Sequence, residues 1–136
     1  EIKKLFEALH HKVFIINPCD KAKYHAAAAF ASNYVTGILH IALQLLKECG
    51  FNESDARELL ASVTLNNINS VLENGTVHAL TGPVERGDIS TIRKHLDILK
   101  DKDICEIYKN LGKILVSIAE EKNPEKDYRE IKGMFV

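Results

Sequence analysis

Two stretches of this chain concentrate side chains that could do chemistry. The first is Leu80-Thr-Gly-Pro-Val-Glu-Arg-Gly-Asp88, which reads as a rigid polar loop opening onto a helix. Thr81, Gly82 and Pro83 combine a hydroxyl, a flexible hinge and a fixed φ. Arg86 offers a two-pronged donor for a carboxylate or phosphate, at a helix start that itself favours anions. The second stretch, about half a chain earlier, is Lys21-Ala-Lys-Tyr-His-Ala-Ala-Ala-Ala-Phe-Ala-Ser-Asn33. At about 100° per residue, Lys21, His25, Ser32 and Thr36 fall within a sector of roughly 60°, with Asn33 beside it. An imidazole there can carry a proton near neutral pH. Ala28 and Ala29 border the sector, where a wet helix face would more often carry long polar residues. That favours a narrow, shaped cavity over open water. The expectation is one polar pocket shared by the two stretches.

His95 lies seven residues beyond Asp88. It either faces the same cavity as Arg86 or is a satisfied core histidine. His10, His11, His40 and His78 lack metal-ligand spacing among themselves, so no metal is expected. No glycine-rich phosphate loop, nucleophile elbow or paired-cysteine motif occurs. Arg86-Gly87-Asp88 matches a cell-adhesion tripeptide, but three-residue matches are common by chance.

These groups must be positioned by helices. Residues 2–11 read as the end of an amphipathic helix, with Leu5, Phe6 and Leu9 on one face. Val13-Phe-Ile-Ile16 reads as a short buried strand, which needs further strands from outside this stretch to satisfy its edges. From Lys21 to about Cys49 the pattern is helical and unusually apolar, with Asp20 as N-cap and Gly50 as the stop. At 1.5 Å per residue this spine would run about 40 Å. A second helix starts at Asn52 or Ser54 and ends at Asn74-Gly75. A loop spans residues 76–87. Asp88 caps a third helix to about Lys100, with Thr91 three residues on. A fourth runs from Asp101 or Asp103 to about Glu121, and residues 125–132 form a short last one. The expected fold is all-α, a bundle of four to five helices around one long helix, preceded by a short αβ piece.

With 136 residues, 46% of them apolar and 27% charged, the chain fits one domain able to bury a real core. A net charge of −1 gives no electrostatic reason to expect nucleic acid as a partner. No uninterrupted apolar run reaches the roughly 20 residues of a bilayer span, so no membrane partner is expected. Three cysteines without a C-x-x-C pair fit a reducing, cytoplasmic setting better than a disulfide framework. The first residue is Glu1, which suggests a piece of something longer.

Several motifs together resemble one family. They are Tyr24-His25-Ala26-Ala27, Ala31-Ser32-Asn33, Ala79-Leu80-Thr81-Gly82-Pro83, Arg86-Gly87-Asp88, and Thr91 with His95-Leu96. The combination is similar to the C-terminal half, catalogued as domain of unknown function 2520, of a group of Rossmann-type oxidoreductases. The likeness spans roughly residues 13–118. It implies a dinucleotide-binding Rossmann domain of which residues 1–17 would be the last helix and strand. Residues 18–136 would be the helical C-terminal domain, like those of 6-phosphogluconate dehydrogenase, ketopantoate reductase and pyrroline-5-carboxylate reductase. In such relatives this domain dimerises and closes the substrate side of the cleft. Several use a lysine and an asparagine one turn apart on the long helix; here Lys21 is followed by His25.

The resemblance therefore implies a substrate-binding and dimerisation domain of an oxidoreductase using NADP or NAD, bound mainly by the Rossmann part. A homodimer and a small anionic metabolite would be its partners. His25 would be the general acid/base, with Lys21 tuning it or acting as the acid. Ser32, Asn33, Thr81, Gly82 and His95 would contact substrate, and Arg86 would anchor its anionic group. The competing reading is a non-catalytic helical module for dimerisation or ligand sensing.

Overall fold

The computed structural model describes residues 2–136, apart from the side chains of Leu5 and Glu7. The chain is all-α, and no strand occurs among the described residues. It divides into two compact units, residues 1–46 and 47–136.

The first unit opens with α1 (Ile2–Ala8). Phe6 and Leu9 of its expected apolar face are exposed, and Leu5 lies outside the described side chains. The strand expected at residues 13–16 is absent. Phe14 and Ile15 are 75% and 76% exposed, because no second strand among the described residues offers a ladder to pair with. The long helix follows as a 3₁₀ turn (Pro18–Asp20), α2 (Lys21–Ala29), a π segment (Phe30–Tyr34) and α3 (Val35–Glu48). Its cap is not Asp20, whose side chain makes no capping bond. Asn17 takes that role, its Oδ1 accepting from the Cys19 amide at 3.2 Å, while Asp20 pairs with Lys23. Gly50 lies just beyond the helix end, its amide donating to the Lys47 carbonyl.

No residue of the long helix is buried. Over Pro18–Glu48 it is long and apolar enough, by length and composition, to cross a membrane, which the count of uninterrupted apolar residues did not reveal.

The second unit begins with α4 (Glu53–Ala79), capped by Asn52 through the Asp55 amide at 3.0 Å. Its backbone kinks at Gly75, where φ is 82°. The helix therefore breaks where expected and resumes for one turn. The supposed loop is also part helical, since Pro83–Arg86 forms a single turn, α5. Then come α6 (Ile89–Ile98), α7 (Lys102–Lys122, capped by Asp101) and α8 (Arg129–Met134). α7 packs against α4, α5 and α8, and α6 against α5 and α8. The core comprises Val84, Ile92, Val116, Ala119, Tyr128, Ile131 and Phe135. On α4, by contrast, Leu65, Ile68 and Leu72 recur at helical spacing and stay exposed, Leu72 at 79%.

Asp127 anchors the start of α8. Its carboxylate takes two prongs of the Arg129 guanidinium and accepts the Arg129 amide at 3.0 Å. These bonds, side-chain first, hold its pKa at about 2, below the usual 3.8. A depressed carboxylate pKa gives stability that is present above the ordinary value and lost as pH falls through the depressed one. Melting curves between pH 4 and pH 2 should therefore fall slightly more steeply for the native chain than for Asp127→Asn. Parallel curves would dismiss the anchor. The effect is small because both side chains are exposed.

Candidate functional site

The Thr81–Asp88 stretch is built by backbone conformation first. Gly82 at φ 99° and Gly87 at φ 77° bracket α5, both in the region that side chains with a Cβ avoid. Pro83 sits in the first turn, where its missing amide costs nothing. Asp88 then caps α6, accepting the Thr91 amide at 3.0 Å and the Thr91 hydroxyl at 2.7 Å. The amide bond first, then the hydroxyl bond, hold the Asp88 pKa below the carboxylate norm, helped by the charges of Arg86 and Lys94. Arg86 is exposed, and its guanidinium makes no hydrogen bond or ion pair among the described residues.

The rest of the turn is clamped by a segment in which the sequence showed no role. Lys122 Nζ donates to the Leu80 carbonyl at 2.7 Å and to that of His78 at 3.2 Å. Tyr128 Oη donates to the Glu85 carbonyl at 2.6 Å. Asn123 Nδ2 donates to Glu85 Oε1 at 3.1 Å and lies equally close to Tyr128 Oη. Glu85 is thus the hub that fastens α5 to the end of α7 and the start of α8. Only the tertiary fold brings these residues together, since they lie about 40 positions apart.

Behind this turn lies a cavity of about 280 Å³. Thr81, Pro83 and Val84 form one wall, His95 another. Tyr108, Leu111 and Leu115 of α7 line the third side, and Phe135 closes it. His95 Nδ1 lies 2.9 Å from Tyr108 Oη, and the two rings meet edge-on. Burial pushes the Tyr108 phenol up from its ordinary pKa. The sequence left His95 either the cavity of Arg86 or a core position; the structure gives a half-buried position in a cavity shared with Thr81. Arg86 does not line it. Tyr108 was missed because its partnership with His95 depends on the α6–α7 turn, which no local pattern encodes.

On the long helix, Lys21 and His25 stand one turn apart on α2, both exposed. Lys21 makes no ion pair among the described residues. Ser32 Oγ lies 2.8 Å from the Ala28 carbonyl, which accepts its proton, and 3.2 Å from Asn33 Oδ1. Thr36 likewise donates to the Ser32 carbonyl at 3.3 Å. These hydroxyls keep lone pairs to accept from a ligand but have committed their protons to the backbone. The π segment also breaks the straight polar line. A π turn holds one extra residue, so Thr36 lags Lys21 and His25 by on the order of 100°. All four residues of the stripe are exposed. Ala28 beside the stripe is exposed and Ala29 only partly covered. Phe30 and Tyr34 stack across the π turn at 4.8 Å, both exposed.

No curated protein and no solved structure matches the chain. One family's sequence model does match, over residues 1–114, and on that extent the chain belongs to the family described as domain of unknown function, DUF2520.

Proposed function

We propose that this chain is the helical substrate-binding and dimerisation part of an oxidoreductase whose NAD or NADP is held by a separate Rossmann domain. The observation that carries the reading is the Pro18–Glu48 helix, which holds a strongly apolar stretch of 18 residues and has no buried residue. An exposed apolar surface of that extent marks a place where another molecule sits. The Leu65, Ile68 and Leu72 stripe on α4 is a second such surface. A second copy of the chain is the occupant proposed for both. Self-complementary patches give closed twofold dimers more readily than any other assembly.

In this reading His25 and Lys21 supply the proton-carrying groups of the long helix, with Ser32 and Asn33 accepting hydrogen bonds from substrate. Thr81, Gly82 and His95 contact the uncharged part of the substrate from the turn and α6. Arg86, whose guanidinium makes no hydrogen bond or ion pair among the described residues, anchors a small anionic metabolite. A non-catalytic sensing module is the second reading, favoured by the uncharged lining of the His95–Tyr108 cavity.

Sedimentation equilibrium tests the assembly. The native chain should sediment as a dimer at micromolar concentration, and Leu72→Glu or Ile38→Glu should shift it towards monomer. A strictly monomeric native chain, or one that partitions into neutral liposomes instead of pairing, would overturn the dimer. Titrating NADPH and NADH into the intact protein, with its other domain present, separates the enzyme from the sensor. Binding of neither favours the sensor.

A further inference from the structure

We propose that the cavity between α5, α6 and α7 is a binding site for a small neutral molecule, a single ring bearing one hydrogen-bonding head. This goes beyond the reading above, since it needs neither a dinucleotide nor an anionic substrate.

Size sets the first limit. A dry apolar cavity of about 150 Å³ accommodates benzene, so about 280 Å³ suits one substituted ring and not a dinucleotide. Lining chemistry sets the second. No lysine, arginine, aspartate or glutamate contributes to the wall, so a charged ligand would lose its hydration without a counter-charge. The polar features are the Thr81 hydroxyl at the mouth and the His95–Tyr108 pair. That pair reads a neutral head whichever way its shared proton lies. If Nδ1 accepts the phenol proton, Tyr108 Oη can still accept and Nε2–H can still donate. If Nδ1 donates, the phenol proton is free for the ligand and Nε2 can accept. Either tautomer offers one donor and one acceptor, which suits a hydroxyl, a carbonyl or an amide. Access is provided by Thr81 and Leu111, both exposed. Phe135, wholly buried, packs edge-on behind the Tyr108 ring and holds it in place.

The test uses the full 136-residue chain, ¹⁵N-labelled, with phenol, benzene and benzoate as probes. Phenol should shift the amides of Thr81, His95 and Gly112 saturably, with a dissociation constant on the order of 1 mM for so few atoms. Leu111→Trp, a change at the exposed rim that leaves the core intact, should weaken phenol at least tenfold. Tyr108→Phe should abolish the preference for phenol over benzene while both still bind. Shifts that fail to saturate, that lie elsewhere, or that persist unchanged in Leu111→Trp would overturn the site. Benzoate binding as tightly as phenol would overturn the neutral head.

Discussion

Phe135→Ala is expected to lower the unfolding free energy by about 3–5 kcal/mol, a large share of what a domain of this size holds. The ring is fully buried in the core, one residue from the chain end. It meets Tyr108 edge-on at 6.1 Å and lies flat against α7 at Gly112. A Cβ built at Gly112 would fall 2.7 Å from the ring, so that glycine is there to admit the phenylalanine. Gly112→Ala should therefore cost about 1–3 kcal/mol by overpacking. The two losses should not add, because in the double variant the clash has disappeared along with the ring. Urea unfolding reads all three. A loss below about 1 kcal/mol for Phe135→Ala, or strict additivity, would show that the terminal segment is not part of the cooperative core. The same logic reaches further. Val116, Ala119, Tyr128, Ile131 and Phe135 all follow residue 114, where the family match stops, and they make up five of the seven core residues. The segment least covered by the family likeness is the one on which the second unit's packing depends.

The elements of the second unit were legible where local chemistry decides them. Asn52, Asp88 and Asp101 are short polar side chains directly before apolar periodicity, and each caps its helix as that pattern predicts. Gly75 marks a true break for the same local reason. What escaped was anything set by long-range partners. Val13-Phe-Ile-Ile16 has the composition of a strand, yet composition cannot supply the neighbour a strand requires. The π segment at Phe30–Tyr34 left no mark in the sequence, and it rotates Thr36 out of a line that looked straight at α-helical spacing. The site was half legible. Thr81 and His95 were both singled out and do share a cavity, but Tyr108 and Phe135, which give that cavity its chemistry and its floor, come from distant turns of the chain. Glu85 was passed over because its importance lies in Tyr128, Asn123 and Lys126, some 40 residues away.

On the proposed oxidoreductase reading, His25→Ala should reduce turnover by on the order of 10²–10⁴-fold when a dinucleotide-binding domain is present, the range expected when a positioned proton carrier is removed. The assay would follow NADPH oxidation against a panel of small anionic carbonyl compounds. Stability should not change, since His25 is exposed on α2 and makes no hydrogen bond or ion pair among the described residues. Alanine is also the better helix former. The loss would thus belong to chemistry and not to folding, and an unaltered melting temperature is the control that proves it. Two further variants divide the possible roles. His25→Asn retains a hydrogen-bonding group but cannot carry a proton. If His25 only orients substrate, His25→Asn should keep most of the rate. If it transfers a proton, that variant should be as impaired as alanine. Lys21→Ala shows whether the ammonium takes part. Loss of rate at an unchanged melting temperature places it in the chemistry, and full rate removes it. Full activity in His25→Ala would remove the long helix from the chemistry, leaving it as an interface alone.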